Sequence, residues 1–528
     1  GTLTLGAANL LPDASDLSVA GGATLSTAFN DTVRSLSVAG TLSGGGRLTA
    51  ASTHLATGAV VATPLGAGVL DVDGAATLAA AAGQGTVRVN NGGTLAMAAG
   101  GALDATANLV IANGGTLQLA ADLAVNRLQT AGTLAGAFTL TTGAGGSRLD
   151  AGAVVGSTLA GGDITVTGNS TLNGRANVAR IDVTGGTLAL GALANRIADT
   201  TAVSVSGGAA LALAGNETVG SLALAGTLSG AATLTSAAEA TLLTGATVSA
   251  NLSAPSLRIS GDSTLSGLAT AAAVHVDSGT LTLSAANRFA AGTVVDVAGP
   301  GTLRLNAATG VQSLTLRGAL TGAGTLTAAA TVTLDGGQLS AAVLAPALSV
   351  ISNSTLGATA TVGNVSVDAG TLTVSAAGLL PGAPAADVTG TLLLRSAQTL
   401  SGLTGSGNVT LDGVTLTLDL AGAGAFAGHL GGTGNFVKQG AGTLTLSGTH
   451  THGGTTVSQG GLTLAGADLL PDTRPLTVAN GSTLTLGGND TVGVFTLSGT
   501  LAGSGTLTAP SYTLADGLVT VNAALGAG

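Results

Sequence analysis

The sequence of 528 residues predicts an all-β solenoid, in which short strands form the successive coils of one continuous body. Three observations predict this fold: near-copies of one segment of about 92 residues, alternation of apolar and polar residues within each copy, and almost no helical signal. Repeated β-type segments are typical of solenoids, because each unit buries its apolar side on its neighbours. Function must therefore be sought on a long repetitive surface.

Six copies follow one another without linkers or shifts of composition. Their boundaries are residues 1–92, 93–185, 186–278, 279–369, 370–459 and an incomplete 460–528. A Gly-Thr-Leu motif, or Gly-Gly-Leu in the last copy, opens each one, and a second glycine landmark recurs at Gly40, Gly132, Gly226, Gly318 and Gly499. In the fifth copy this landmark comes early, near Leu400, so we expect a local change of coil shape there. Because the chain begins at a repeat boundary without Met and stops inside a copy, we interpret it as a fragment of a longer protein.

The strands are predicted from period-two patterns such as Thr2-Leu3-Thr4-Leu5, which place leucines on one face and threonines on the other. Gly-rich corners such as Ser206-Gly207-Gly208-Ala209 separate them. At roughly 20–23 residues per coil, each copy would supply about four coils, and the chain would span on the order of 110–125 Å. Separate β-sandwiches are the alternative, but they need linkers that the sequence lacks.

Composition supports a packed aliphatic core, since hydrophobic residues make up 45%, charged residues 8% and aromatic residues 1%. The 15 basic residues form no basic stripe, which argues against a nucleic-acid partner. No uninterrupted run of 18 apolar residues predicts insertion into a membrane. The absence of Cys suits a chain exported unfolded, although it suits a cytosolic protein equally well.

Three sets of segments carry a family resemblance. The segment from Asn435 to Gly448, followed by Gly453-Gly454-Thr455-Thr456-Val457, resembles the passenger repeat of bacterial autotransporters. The Asn-Asp/Glu-Thr-Val segments at Asn30, Asn216 and Asn489 and the Asn/Asp-Ser-Thr-Leu segments at Asn169, Asp262 and Asn353 resemble the repeats of filamentous haemagglutinin-like exoproteins. The resemblance implies a right-handed parallel β-helix and secretion through an outer-membrane β-barrel, either a partner protein or a domain of the same chain. It also implies adhesion to host or neighbouring-cell surfaces.

Two pairs of side chains are candidates for chemistry. Asp71 and Asp73 fall on one strand face, about 7 Å apart, as carboxylates of polysaccharide-cutting enzymes can. A solvated face is the simpler interpretation, because no aromatic platform accompanies them. His450 and His452 also share a face, but two ligands do not make a metal site, and we expect an exposed loop. We therefore predict no catalytic residues, no metal and no cofactor.

Two recurring motifs are interpreted as turns. Leu11-Pro12-Asp13, Leu470-Pro471-Asp472 and the equivalent Leu380-Pro381-Gly382 occupy one position of the repeat, and proline there indicates a corner or protruding loop. The Asn-Asp/Glu-Thr-Val segments match a glycosylation sequon, but an Asn at a corner explains them more simply.

We conclude from the sequence that the chain is the structural shaft of a secreted bacterial surface adhesin or fibre, which projects a distal region and makes weak adhesive contacts. It is not predicted to be an enzyme. An ice-binding β-solenoid is the alternative, because Thr-x-Thr strings such as Thr280-Leu281-Thr282 occur, although irregular corner spacing argues against it. A polysaccharide-acting β-helix enzyme is less favoured still.

Overall fold

The computed structural model describes residues 1–515 and 519–527, which form short strands joined by turns and contain no helix. Accordingly, no helix in this part of the chain could cross a membrane. Successive strands pair in parallel with strands one coil away, which confirms the predicted all-β solenoid of stacked coils. Two compact units are present: Gly1–Arg258 with Ser263–Ala271 is unit 1, and Ile259–Asp262 with Ala272–Gly528 is unit 2.

Unit 1 is built from three ladders of parallel strands, which we call the first, second and third faces. The first face contains the Gly-Thr-Leu strands and consists of Thr2–Leu5, Thr24–Thr27, Thr41–Ser43, Val60–Val61, Ala75–Leu78, Thr94–Met97, Thr116–Gln118, Thr133–Ala135, Val154–Val155, Ser170–Leu172, Thr187–Leu190, Ala210–Leu213, Thr227–Gly230, Ala246–Val248 and Ser263–Leu265.

The second face of unit 1 consists of Asp16–Val19, Asp31–Val38, Leu48–Leu55, Val69–Val72, Thr86–Val89, Asn108–Ile111, Arg127–Thr130, Ser147–Leu149, Ile164–Val166, Arg180–Val183, Ala202–Val205, Ser221–Leu224, Ala240–Leu242 and Ser256–Ser260, the last of which has residues in both units. The third face consists of Ala81–Ala82, Ala102–Leu103, Leu123–Val125, Thr139–Thr142, Thr158–Gly161, Ala176–Val178, Glu217–Val219, Thr233–Ser236, Asn251–Ser253 and Ala269–Thr270.

Unit 2 has the same three ladders. Its first face includes the second half of Ala273–Leu283, then Gly301–Leu305, Ala319–Gly322, Gln338–Leu339, Ser354–Leu356, Thr371–Val374, Thr391–Leu394, Asn408–Leu411, His429–Gly432, Asp490–Thr491, Thr506–Ala509 and Ala524–Ala527. Its second face includes the first half of Ala273–Leu283, then Val294–Val297, Ser313–Leu316, Val332–Asp335, Ala342–Ser352, Ala360–Val367, Ala385–Val388, Gly402–Thr404, Gly424–Phe426, Thr443–Leu446, Gly461–Leu464, Thr483–Leu486, Thr500–Gly503 and Thr520–Val521. Its third face includes Thr309–Val311, Thr325–Ala328, Gln398–Leu400, Leu416–Asp419, Phe436–Gln439, Thr455–Val457, Pro475–Val478, Val494–Leu497 and Tyr512–Leu514.

Coil length alternates between short and long. On the first face of the second copy the paired residues are, in order, Thr94, Thr116, Thr133, Val154, Thr171 and Ala189, which gives coils of 22, 17, 21, 17 and 18 residues. One copy therefore makes five coils, and our prediction of about four coils of 20–23 residues was wrong. The 17-residue coils, which lack the longer corners, were missed because the repeat shows only their sum with the longer ones.

The core is an aliphatic ladder that runs from coil to coil. On the first face of the second copy Leu95, Leu117 and Leu134 pair in register and are completely buried. At about 25 cal/mol per Å² of apolar surface, each such leucine contributes roughly 2 kcal/mol. Because these contacts join adjacent coils, a single coil cannot bury its own apolar side, and stability accumulates along the stack.

The second glycine landmark marks a close approach between coils. A Cβ atom added to Gly132 would lie 2.3 Å from the carbonyl oxygen of Ala112 and 2.4 Å from that of Gly115. At the equivalent Gly226 the distance to the carbonyl oxygen of Ala209 would be 2.2 Å. No residue with a side chain fits there, which explains why the glycine recurs in this register.

The fifth copy turns the repeat by one face within unit 2. Its opening strand Thr371–Val374 lies on the first face, whereas the opening strand of the sixth copy, Gly461–Leu464, pairs with Thr443–Leu446 on the second face. In the fourth copy the first face advances through five coils from Thr280 to Thr373. The fifth copy completes only four coils and one further face. The change of coil shape expected there is thus a shift of the repeat around the stack.

Candidate functional site

The predicted carboxylate pair lies on the second face of unit 1, where both groups already have partners. Asp71 Oδ1 is 3.5 Å from Arg88 Nη1. Asp73 Oδ1 accepts a 2.7 Å hydrogen bond from Asn90 Nδ2, and Asp73 Oδ2 lies 3.3 Å from His54 Nδ1. All three partners come from neighbouring coils, so the pair belongs to a polar ladder along the second face.

Further ion pairs continue this ladder. They join Arg34 to Asp16, Arg148 to Asp150, Arg180 to Asp182, Arg258 to Glu239, and Arg317 to both Asp296 and Asp335. The hydrogen bond from Arg34, with a smaller contribution from Ser35, lowers the pKa of Asp16 to about 2. Pairs as exposed as these contribute little to stability, because water screens them. Their main effect is to keep the second face charged and locally neutralised.

The two histidines lie inside the stack, and our expectation of an exposed loop was wrong. The side chains of His450 and His452 are only 3% and 0% exposed, and their ring centroids are 5.9 Å apart. The amide of Leu430 donates a 3.1 Å hydrogen bond to His450 Nδ1, and His452 Nε2 lies 2.8 Å from Thr455 Oγ1. Alternation places both rings on one side of the strand, but it does not say whether that side faces inward or outward.

Burial keeps both rings neutral. It lowers the pKa of His450 to about 3 and that of His452 to about 4. His450 Nε2 and His452 Nδ1 have no hydrogen-bond partner among the described residues. Within residues 1–515 and 519–527 no group of three or more His, Cys, Asp or Glu side chains could hold a metal ion.

A buried lysine in the preceding coil was not recognised from the sequence. Lys438 is completely buried, and its Nζ donates hydrogen bonds to the carbonyl oxygens of Gln439 and Gly440, both at 2.8 Å, and of Gln459 at 3.3 Å. Burial lowers the pKa of its ammonium group, while Asp419 opposes the shift. A signal was available: Lys438 follows the buried Phe436 by two residues, and strand alternation puts both on one face.

The Leu-Pro-Asp motifs at residues 11–13 and 470–472 lie in corner loops, as predicted, and a buried acid holds each loop in place. The amide of Leu10 donates a 2.8 Å hydrogen bond to Asp31 Oδ2, and the amide of Leu469 donates a 2.9 Å bond to Asp490 Oδ2. In the third copy Arg196 donates in the same way to Glu217 Oε1 at 2.9 Å. The sequence indicated the loops but not the burial of the acids.

That burial changes the acidity of two of the three groups. Removal from water raises the pKa of Asp490 to about 6, although three backbone amides oppose the shift. It also raises the pKa of Glu217. Both acids come from the Asn-Asp/Glu-Thr-Val segments, which therefore have a structural role.

The asparagines of these segments lie at corners, as we predicted. Asn30 Oδ1 accepts a 2.8 Å hydrogen bond from the amide of Arg47. Asn216 and Asn489 accept equivalent 2.9 Å bonds from Thr233 and Thr506. Each asparagine thus satisfies a backbone donor of the next coil, at the point where a corner interrupts the ladder.

These features define the chain as a repetitive parallel β-solenoid with an aliphatic core, structural asparagines at its corners and charges gathered on one face. Residues 276–299 and 436–464 match the model of the passenger-associated-transport-repeat family, and the second match includes Lys438 and both buried histidines. The chain thus contains repeats of the kind carried by autotransporter passenger proteins. Comparisons with curated proteins and with solved structures give no match.

Proposed function

We propose that the chain is the structural shaft of a secreted bacterial surface adhesin or fibre, which projects a distal region and adds weak adhesive contacts of its own. The observation that carries this proposal is the match to passenger-associated-transport repeats inside a parallel β-solenoid. The solenoid suits a spacer, because each additional copy repeats the same coil-to-coil contacts and adds length without a new core.

Export requires a partner in the outer membrane, and we propose a β-barrel translocator, since passenger repeats occur in autotransporters. The family match supports one chain carrying its own barrel over a two-partner system of the filamentous haemagglutinin type. The absence of Cys supports the same route, because no disulfide can form before the chain has crossed. Localisation at the outer surface of the bacterium follows from this proposal.

Deletion of one whole copy tests the shaft. Removing residues 93–185 takes out five coils, so the purified protein should shorten by about 24 Å and remain folded. Electron microscopy measures the length, and circular dichroism measures the strand content. Removing residues 93–175 is the control, because it cuts within a coil and should disrupt the register. A string of separate beads, or an unchanged length after the first deletion, would refute the shaft.

We also propose that the chain acts without catalysis. The ion pairs and hydrogen bonds of Asp71 and Asp73 support this, since neither carboxylate is left to act as an acid or a nucleophile. Hydrolysis of surface polysaccharides by the purified chain, lost on Asp71→Asn, would overturn the proposal.

The ice-binding alternative loses support from the strand registers. A two-column threonine array would need threonine at both outward positions of each first-face strand. The second outward positions in the second copy are instead Ala96, Gln118 and Ala135, paired in register. Thermal hysteresis in dilute protein would restore this alternative.

A further inference from the structure

Charge is distributed unequally among the faces of unit 1. The second-face strands contain Asp16, Arg34, His54, Asp71, Arg88, Arg127, Arg148, Arg180, Asp182 and Arg258. The fifteen first-face strands contain no Asp, Glu, Lys, Arg or His. One of the three faces therefore runs the length of unit 1 without an ionisable side chain.

The outward side chains of this neutral face are small and regularly placed. Thr94, Thr116 and Thr133 form one row, because their strands pair in register. The remaining outward positions are mostly Thr, Ser, Ala or Val, with Gln118 the largest side chain. Variation in coil length lies in the corners between strands and leaves the ladder uninterrupted. A second sheet could therefore approach this face to about the 10 Å spacing of packed sheets.

The neutral face is large enough for a specific interface. Fifteen strands at about 4.8 Å spacing extend for about 70 Å, and three to four residues per strand give a width of about 10 Å. Such a face presents on the order of 700 Å² to a partner. Pairing two copies would bury about 1,400 Å² in total, within the range of stable protein–protein interfaces.

We propose that the neutral first face of unit 1 is a docking surface for a second copy of this chain. A two-fold pair places the same patch against itself, so a surface without charge avoids the like-charge repulsion that a net charge of −10 would otherwise impose. A sugar polymer fits less well, because the first-face strands of unit 1 contain no aromatic residue on which its rings could stack.

Charge substitution tests the interface in the full chain. Thr94→Lys, Thr116→Lys and Thr133→Lys together would place three cations on the neutral face. The control variant carries Thr86→Lys, Thr165→Lys and Ser204→Lys on the second face. Sedimentation equilibrium should show a dimer for the unmodified chain and for the control, with dissociation at least tenfold stronger in the first-face variant. Circular dichroism checks that both variants keep their strand content.

A second measurement does not depend on tolerance of three lysines. Because the chain has no Cys, a single Thr133→Cys substitution near the middle of the neutral face can form a disulfide only with another copy. Oxidation should link this variant into dimers, while Ser204→Cys on the second face should remain monomeric. Salt should leave the association unchanged, since no opposing charges need screening. A monomeric unmodified chain, or equal cross-linking of both Cys variants, would overturn the proposal.

Discussion

The second copy in unit 1 and residues 429–459 in unit 2 are both stacks of parallel coils, but their interiors differ. The first-face interior of the second copy consists of aliphatic side chains such as Leu95, Leu117 and Leu134. The other segment buries Lys438, His450 and His452. The backbone ladder alone thus tolerates either kind of interior. The chemistry of the interior decides which conditions open a coil.

Acid should have the largest effect on this comparison. The unfolded histidines have a pKa near 6.5, whereas burial holds those of His450 and His452 at about 3 and about 4. The unfolded segment therefore binds more protons below pH 6.5, and stability falls as the pH falls through this window. The loss should approach 1.4 kcal/mol per pH unit for each histidine. Hydrogen exchange at several pH values should show residues 429–459 opening while residues 93–185 remain protected.

Two variants separate the contributions to this acid response. Replacing both rings, His450→Leu with His452→Leu, should abolish the loss of protection. Asp490 acts in the opposite direction: its pKa is raised to about 6, so its contribution to stability is present at low pH and is lost as the pH rises through 6. Asp490→Asn should therefore protect residues 468–470 better at pH 7. Equal acid sensitivity of the two segments would contradict both expectations.

Shortening an interior leucine should have the next largest effect. Leu134→Ala leaves a cavity in the aliphatic ladder, and we expect it to cost about 3 kcal/mol of local stability. Hydrogen exchange should show the loss in the coils that contain Leu117 and Val155, the neighbours of Leu134. Loss of protection spread evenly over the whole chain would mean that the coils are not coupled mainly to their neighbours.

Removal of the buried ammonium group should have a smaller effect. Lys438→Met retains most of the side-chain volume but leaves three carbonyl oxygens without their donor, at a cost of about 2 kcal/mol. Gln439→Met, at the exposed neighbouring position, is the control and should change little. Greater protection of residues 436–459 in the Lys438→Met variant would show that desolvation of the charge outweighs its hydrogen bonds.

The smallest effect is expected at a corner. Asn216→Ala removes the acceptor for the amide of Thr233 and should cost about 1 kcal/mol or less, because water can replace the exposed oxygen. Exchange of the Thr233 amide should accelerate, while Asn177→Ala, at an exposed strand position, should leave the neighbouring amides unchanged. Unaltered exchange at Thr233 would assign the recurring asparagine a role other than capping.

The sequence was sufficient to predict the strands and the solenoid, because alternation and repetition are properties of neighbouring residues. It was not sufficient for the coil length, since only the sum of 17-residue and longer coils repeats. The glycine landmarks at Gly132 and Gly226 were recognisable as a pattern. The close carbonyl contacts that require them depend on the coil above, about twenty residues away in the chain.

The polar interior was harder to predict. Alternation in His450-Thr451-His452 fits an inward or an outward orientation equally well, and the low hydrophobicity of histidine favoured the wrong one. Asp31, Glu217 and Asp490 were similarly hidden, because their partners are backbone amides of a loop in another coil. The charge-free first face emerges only when the strands are sorted by ladder, which requires the register.

The fifth copy behaves like a phase step in a screw thread. A copy that completes five coils returns its opening strand to the same azimuth, whereas the fifth copy advances it from the first face to the second. Gaining or losing such a copy would change both the length of the thread and the direction in which every later loop points. Evolution could therefore re-aim a distal region by duplicating one segment, with no substitution in the region itself.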